Sequence, residues 1–98
     1  MVNHVVMWTF RQDVPEAERR RVAAGMAAGM ASLGKRVPGI CSLRVVAEPL
    51  GTSNCDILLV SSFDSEKTLA DYQRDPEHIA LKEKYMPAFA SRSCMDYR

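Results

Sequence analysis

The run Ile57-Leu58-Leu59-Val60, inside the segment Cys55-Asp56-Ile57-Leu58-Leu59-Val60-Ser61-Ser62-Phe63, decides how this chain folds. Four apolar residues in succession follow a loop of turn-forming residues, Pro49-Leu50-Gly51-Thr52-Ser53-Asn54. Such a run predicts a strand over Cys55 to Phe63 that is buried on both faces. It needs cover on both sides.

Working upstream, Ile40 to Glu48 alternates Cys41, Leu43, Val45 and Ala47 against mostly polar neighbours, the period of a second strand. Pro38-Gly39 before it stops a helix. In that helix Val22, Met26, Met30, Leu33 and Val37 recur at spacings of four, four, three and four, forming one stripe. Asp13, with Glu16 three residues later and Pro15 in the first turn, predicts its start, and it runs to about Arg36. Ala23, Ala24, Gly25, Ala27, Ala28 and Gly29 fill other positions, so it can lie close to what it covers. The first strand is Asn3 to Phe10, rich in Val and aromatic residues.

Downstream, Asp64-Ser65 caps a helix carrying Leu69 and Tyr72. Asp75-Pro76 interrupts it, because the residue before a proline avoids helical geometry. A further helical stretch, Glu77 to about Ala88, carries Ile79, Leu81 and Tyr85. Arg92 to Tyr97 is the last strand. The order β-α-β-β-α-β predicts an α+β, ferredoxin-like subunit: a four-stranded antiparallel sheet with its helices on one face. Residues 1–98 make a single domain.

Right-handed crossovers place both helices on the same side of the sheet. Yet Val5 and Met7 oppose His4, Val6, Trp8 and Phe10, and Leu58 and Val60 oppose Ile57 and Leu59. Large apolar side chains therefore project from the uncovered face, where burying each is worth on the order of 1.5–3 kcal/mol. A homodimer packing two such faces together satisfies both copies. The alternative is a different protein or a membrane surface on that face.

Composition narrows function mainly by exclusion. With 13 basic and 12 acidic residues the net charge is +1, which gives no reason to expect nucleic acid or an anionic membrane as partner. The run Arg19-Arg20-Arg21 is explained by pairing with Glu16 and Glu18 along a solvated helix face. No apolar run approaches the ~20 residues that span a bilayer. Cys41, Cys55 and Cys94 are widely spaced and odd in number. They predict reduced thiols in the cytoplasm, each a small buried hydrophobe and not a nucleophile or metal ligand. No phosphate loop, Gly-x-Ser-x-Gly, His-Glu-x-x-His or Cys/His metal spacing occurs, so no cofactor or metal is expected.

Acid–base chemistry remains open. His4 shares a strand face with Val6, Trp8 and Phe10; a histidine there serves either as a hydrogen-bonded core residue or as an acid or base. Tyr72 and His78 flank the Asp75-Pro76 break, where a broken helix leaves groups free to line a cavity. Their structural alternatives are helix-to-sheet packing for Tyr72 and a first-turn position for His78.

Several stretches together resemble the stress-responsive dimeric A/B barrel family: Asn3-His4-Val5-Val6, Pro38-Gly39-Ile40, Asp56 to Val60 leading to Phe63, Tyr72-Gln73-Arg74-Asp75-Pro76-Glu77-His78, and Asp96-Tyr97. The resemblance covers nearly the whole chain, and Tyr-x-x-x-Pro-x-His is its most specific part. It implies a dimeric α/β barrel. It also implies a likeness to polyketide cyclases such as olivetolic acid cyclase, in which the His and Tyr of this motif act as an acid–base pair. Carried over, His78 is the general base alpha to a carbonyl, and Tyr72 binds the base or the developing oxyanion. His4, Val6, Trp8, Met26, Leu81, Phe89 and Cys94 then line an apolar cavity. Two positions depart from the family: Asp75 stands where a histidine is common, and Trp8 is bulky for a cavity wall.

Two functions follow. One is a stress-related barrel protein binding a small apolar ligand between helices and sheet. The other is a cofactor-independent cyclase- or isomerase-like enzyme acting on a carbonyl compound through His78 and Tyr72. A cofactor-free monooxygenase on the same barrel is a weaker third, since nothing in these residues demands oxygen chemistry.

Overall fold

A computed structural model describes all 98 residues. The elements are β1 (Val2–Phe10), α1 (Glu16–Arg36), β2 (Ile40–Val46), β3 (Ile57–Phe63), α2 (Glu66–Arg74), α3 (Pro76–Tyr85), a 3-10 turn at Met86–Ala88, and β4 (Phe89–Tyr97). The strands form one sheet in the order β2-β3-β1-β4, with every neighbouring pair antiparallel. This is the expected ferredoxin-like plan, with the apolar run of β3 central beside β1.

The boundaries moved where local chemistry overrides pattern. Asp13 does not cap α1: its carboxylate accepts from Arg11 Nε at 3.0 Å, and the helix starts after Pro15 with no side-chain cap. Arg19 holds that turn instead, donating to the carbonyls of Val14 at 2.8 Å and Arg11 at 3.1 Å. The third helix ends at Tyr85, since Pro87 has no N–H to continue the ladder, and β4 starts at Phe89, three residues earlier than expected. Ser65 caps α2 as expected, accepting from the Thr68 N–H at 3.1 Å.

The stripe Val22, Met26, Met30 and Leu33 is buried against the sheet. Val2, His4, Val6, Trp8 and Phe10 of β1 and Ile57, Leu59, Ser61 and Phe63 of β3 meet it from below. The small residues of α1 admit α3: a Cβ on Gly25 would lie 1.9 Å from the Tyr85 hydroxyl, and one on Gly29 2.5 Å from a Leu81 methyl. Gly39 turns the chain into β2 with φ +91°, a conformation that disfavours any other residue.

The opposite face has no cover from its own chain. Val5 sits between Val60 and Met95, and Met7 between Leu58 and Ser93. Met7 and Val60 are each 42% exposed and Met95 67% exposed. Within one subunit β3 is therefore covered on one side only. The cysteines also depart from expectation: Cys41 and Cys94 are exposed and Cys55 half-buried, Cys94 because the helical layer barely reaches the edge strand β4. No helix is long and apolar enough to cross a membrane.

Candidate functional site

The break between α2 and α3 is built by Asp75. Its backbone N–H bonds the Tyr72 carbonyl at 3.2 Å and closes α2. Its carboxylate accepts from the Glu77 N–H at 2.9 Å and caps α3, with Pro76 in the first helical position, where a missing N–H costs nothing. Arg36 at the end of α1 clamps the junction, pairing with Asp75 at 2.6 Å and Glu77 at 2.9 Å. That guanidinium holds the Asp75 carboxyl below its usual range. Asp75 thus fixes the corner and is not spent on His78.

Inside the corner lies a cavity of about 240 Å³. His4, Val6 and Trp8 of β1 and Leu59 of β3 form its floor, and Met26 and Met30 of α1 one side. Tyr72, His78 and Leu81 close it, while Gln73, Lys82 and Arg92 stand exposed at the rim. Trp8 belongs to the wall and does not fill the space. Neither Lys82 nor Arg92 has a carboxylate in ion-pair reach, so the rim is cationic.

His78 is buried, and desolvation lowers its pKa from the ordinary value, the carbonyl of Gln73 opposing this in part. It is therefore the neutral imidazole at pH 7. Its Nδ1 donates to the Gln73 carbonyl at 3.4 Å, a long contact, leaving Nε2 with a free lone pair. The Tyr72 ring lies against it, with centroids 4.3 Å apart. Burial raises the phenol's pKa far above the usual range, so Tyr72 stays a hydrogen-bond donor. Its hydroxyl donates to Met30 Sδ at 3.3 Å, a weak acceptor that a ligand oxygen readily replaces.

His4 is the second buried imidazole of this floor. Its Nδ1 bonds the Asp96 carboxylate across the β1–β4 pair, and its ring packs edge-on to Phe63 and Tyr72 at 6.2 Å.

Of the expected site residues, His78, Tyr72, His4, Val6, Trp8, Met26 and Leu81 converge on this one cavity. Phe89 and Cys94 do not line it. The register shift between Thr9 and Phe10 pairs Phe89 with Phe10, on which it stacks at 4.8 Å. Cys94 lies on the outer strand, its sulfur 3.7 Å from His4 Nδ1 and from Asp96 Oδ1. Burial and the Asp96 charge raise its thiol pKa, so it is no poised nucleophile. Sequence reasoning missed Asp96 as the partner of His4, and Lys82 and Arg92 at the rim. The pairing of first and last strands was the available signal.

A family model described as the stress responsive A/B barrel domain matches residues 2–98. A solved structure from Bacteroides fragilis, described as a dimeric protein of unknown function with a ferredoxin-like fold, aligns at a TM-score of 0.92 and 28% identity, covering 99% of this chain and 94% of that one. A Dabb family protein from Mesorhizobium loti aligns at 0.78 with 14% identity, covering 99% and 94%. A hydroxynitrile lyase from Passiflora edulis aligns at 0.75 with 13% identity, covering 98% and 90%. The last two are likenesses of fold alone. A search of curated proteins finds no match.

Proposed function

Because the chain belongs to the stress responsive A/B barrel domain family, we propose that it is a homodimeric small-molecule pocket protein in which His78 moves a proton at the carbon beside a carbonyl. The observation that carries this reading is a buried, neutral imidazole with a free Nε2 in the wall of an open cavity, beside a phenol that keeps its proton and can donate it. A base near neutral pH and a donor for the developing enolate oxygen are the two parts such a step needs. Gln73, Lys82 and Arg92 supply polar anchors at the rim, so a bound carbonyl compound can be positioned as well as enclosed.

The size of the cavity limits the ligand. A water molecule's share of liquid volume is about 30 Å³, so a space of about 240 Å³ suits a compound of roughly eight heavy atoms. Binding without catalysis is the second reading. It is favoured by the Tyr72 hydroxyl being engaged with Met30 and not with His78.

Exchange of α-hydrogens into small ketones and β-dicarbonyl compounds in D2O, followed by NMR, separates the two. Catalysis predicts exchange above background that His78→Ala reduces by about 10²–10⁴-fold while the dimer survives. Binding with exchange no faster than background leaves the ligand-binding reading alone.

The helix-free sheet face is the surface we assign to the dimer, on the open patch around Val5, Met7, Val60 and Met95. The three free thiols fit a reducing compartment, and we place the protein in the cytoplasm on that ground.

A further inference from the structure

We propose that His4 Nδ1, Cys94 Sγ and Asp96 Oδ1 form a Zn²⁺ site at the edge of the cavity floor. This goes beyond the carbonyl chemistry assigned to His78 and does not depend on it.

The sheet brings the three groups together. His4 on β1 is the register partner of Asp96 on β4, and Cys94 precedes Asp96 by two residues, so all three project from the helix-side face. Their ligand atoms lie within 4.8 Å of one another. The sulfur is 3.7 Å from both the imidazole nitrogen and the carboxylate oxygen. With Zn–S about 2.3 Å and Zn–N about 2.0–2.1 Å, a tetrahedral angle sets S···N at about 3.6 Å. Two edges of the tetrahedron are thus already close to their final length. The third, between His4 and Asp96, is a direct hydrogen bond and must lengthen. Asp96 has room for that, its side chain being 43% exposed.

The groups are also held as ligands need to be. His4 is 2% exposed, wedged between Phe63 and Tyr72, and its carbonyl is fixed by the Ser61 hydroxyl at 2.7 Å. Pre-orientation of this kind removes much of the ordering cost of binding. The only ion-pair partner of Asp96 is that imidazole, which is cationic only when protonated.

The plainer account is a His4–Asp96 hydrogen bond with a cysteine nearby. In that account the thiol hydrogen-bonds both groups at 3.7 Å and no metal is taken up, which is the outcome the titration below tells apart. One thiolate, one imidazole and one carboxylate form a borderline-soft set suited to Zn²⁺, and three protein ligands leave a fourth position for water.

Titrating the full-length protein with Co²⁺ tests the site, in wild type and in a Cys41→Ser/Cys55→Ser variant that retains Cys94. Both are expected to bind a single equivalent with a thiolate-to-cobalt absorption band and the intense visible bands of tetrahedral cobalt, displaced by Zn²⁺. Cys94→Ser should abolish the thiolate band, and Asp96→Ala should weaken Zn²⁺ binding by more than about tenfold. Both positions are exposed, so folding is not at risk. A wild-type protein with no such band, or a band that survives Cys94→Ser, overturns the proposal. Neither result bears on proton exchange by His78.

Discussion

His78 reaches the cavity as a neutral ring because desolvation outweighs the other influences on it. The sign of the resulting pH effects follows. Proton exchange needs the unprotonated imidazole, so the rate should hold as pH falls to the ordinary histidine value of 6.5 and decline only below it. A pH–rate profile of α-hydrogen exchange checks this; a decline centred above 6.5 would assign the base elsewhere. The same group affects stability in the same direction. The unfolded chain takes up the proton first, so the contribution of His78 is full above 6.5 and is lost as pH drops toward its folded-state value. Urea midpoints measured across that window should fall in wild type and flatten in His78→Gln. For Tyr72→Phe we expect ligand binding to persist and exchange to slow by roughly 10²–10³-fold, the usual cost of one lost donor to a developing oxyanion. Equal loss of binding and rate would mark Tyr72 as packing only.

At the scale of elements, the cavity depends on how closely α1 and α3 approach, and two glycines set that distance. A methyl at Gly25 meets the hydroxyl of the rigid Tyr85 ring at 1.9 Å, so Gly25→Ala has to push α3 outward. The overpacking cost is about 1–3 kcal/mol, which exceeds the ~1 kcal/mol that alanine gains over glycine in a helix. Thermal melts should show a lowered midpoint. At Gly29 the clash falls on the flexible end of Leu81, a cavity wall residue, so Gly29→Ala should push that side chain inward. Small-ligand affinity is then expected to drop with little change in melting temperature, as read by calorimetric titration.

Much of this level was legible beforehand. The helical spacing of Val22, Met26, Met30 and Leu33 is a property of the chain's own period, and the Pro76 break is enforced within one residue. The start of α1 was misread because Asp13 has a competitor for its carboxylate, Arg11, whose reach no capping rule includes.

For the whole molecule the open sheet face is the governing feature. Val5, Met7, Leu58, Val60 and Met95 form a continuous apolar band across three strands. The solved structure from Bacteroides fragilis with the same fold is described as dimeric. Val60→Asp places a carboxylate within that band, beside Val5. If two copies meet there, each dimer buries two uncompensated charges, each at a cost of roughly 3–5 kcal/mol. Light scattering should then report a monomer for the variant and a dimer for wild type. A variant that stays dimeric places the interface on another surface.

Periodicity and punctuation act over a few residues, and that is why strand order, helix count, the α2–α3 break and the surplus of apolar side chains on one sheet face could all be read from the amino-acid order. Packing settled the remainder. Residues 4, 94 and 96 meet because β1 and β4 pair in a particular register, and β4 carries no alternating apolar pattern from which that register could be foreseen. The space beside His78 stays open because Trp8 lies in its wall, an outcome of side-chain packing against Phe89 and the sheet. Contacts across ninety residues of chain depend on register and rotamer, and neither leaves a local imprint in sequence.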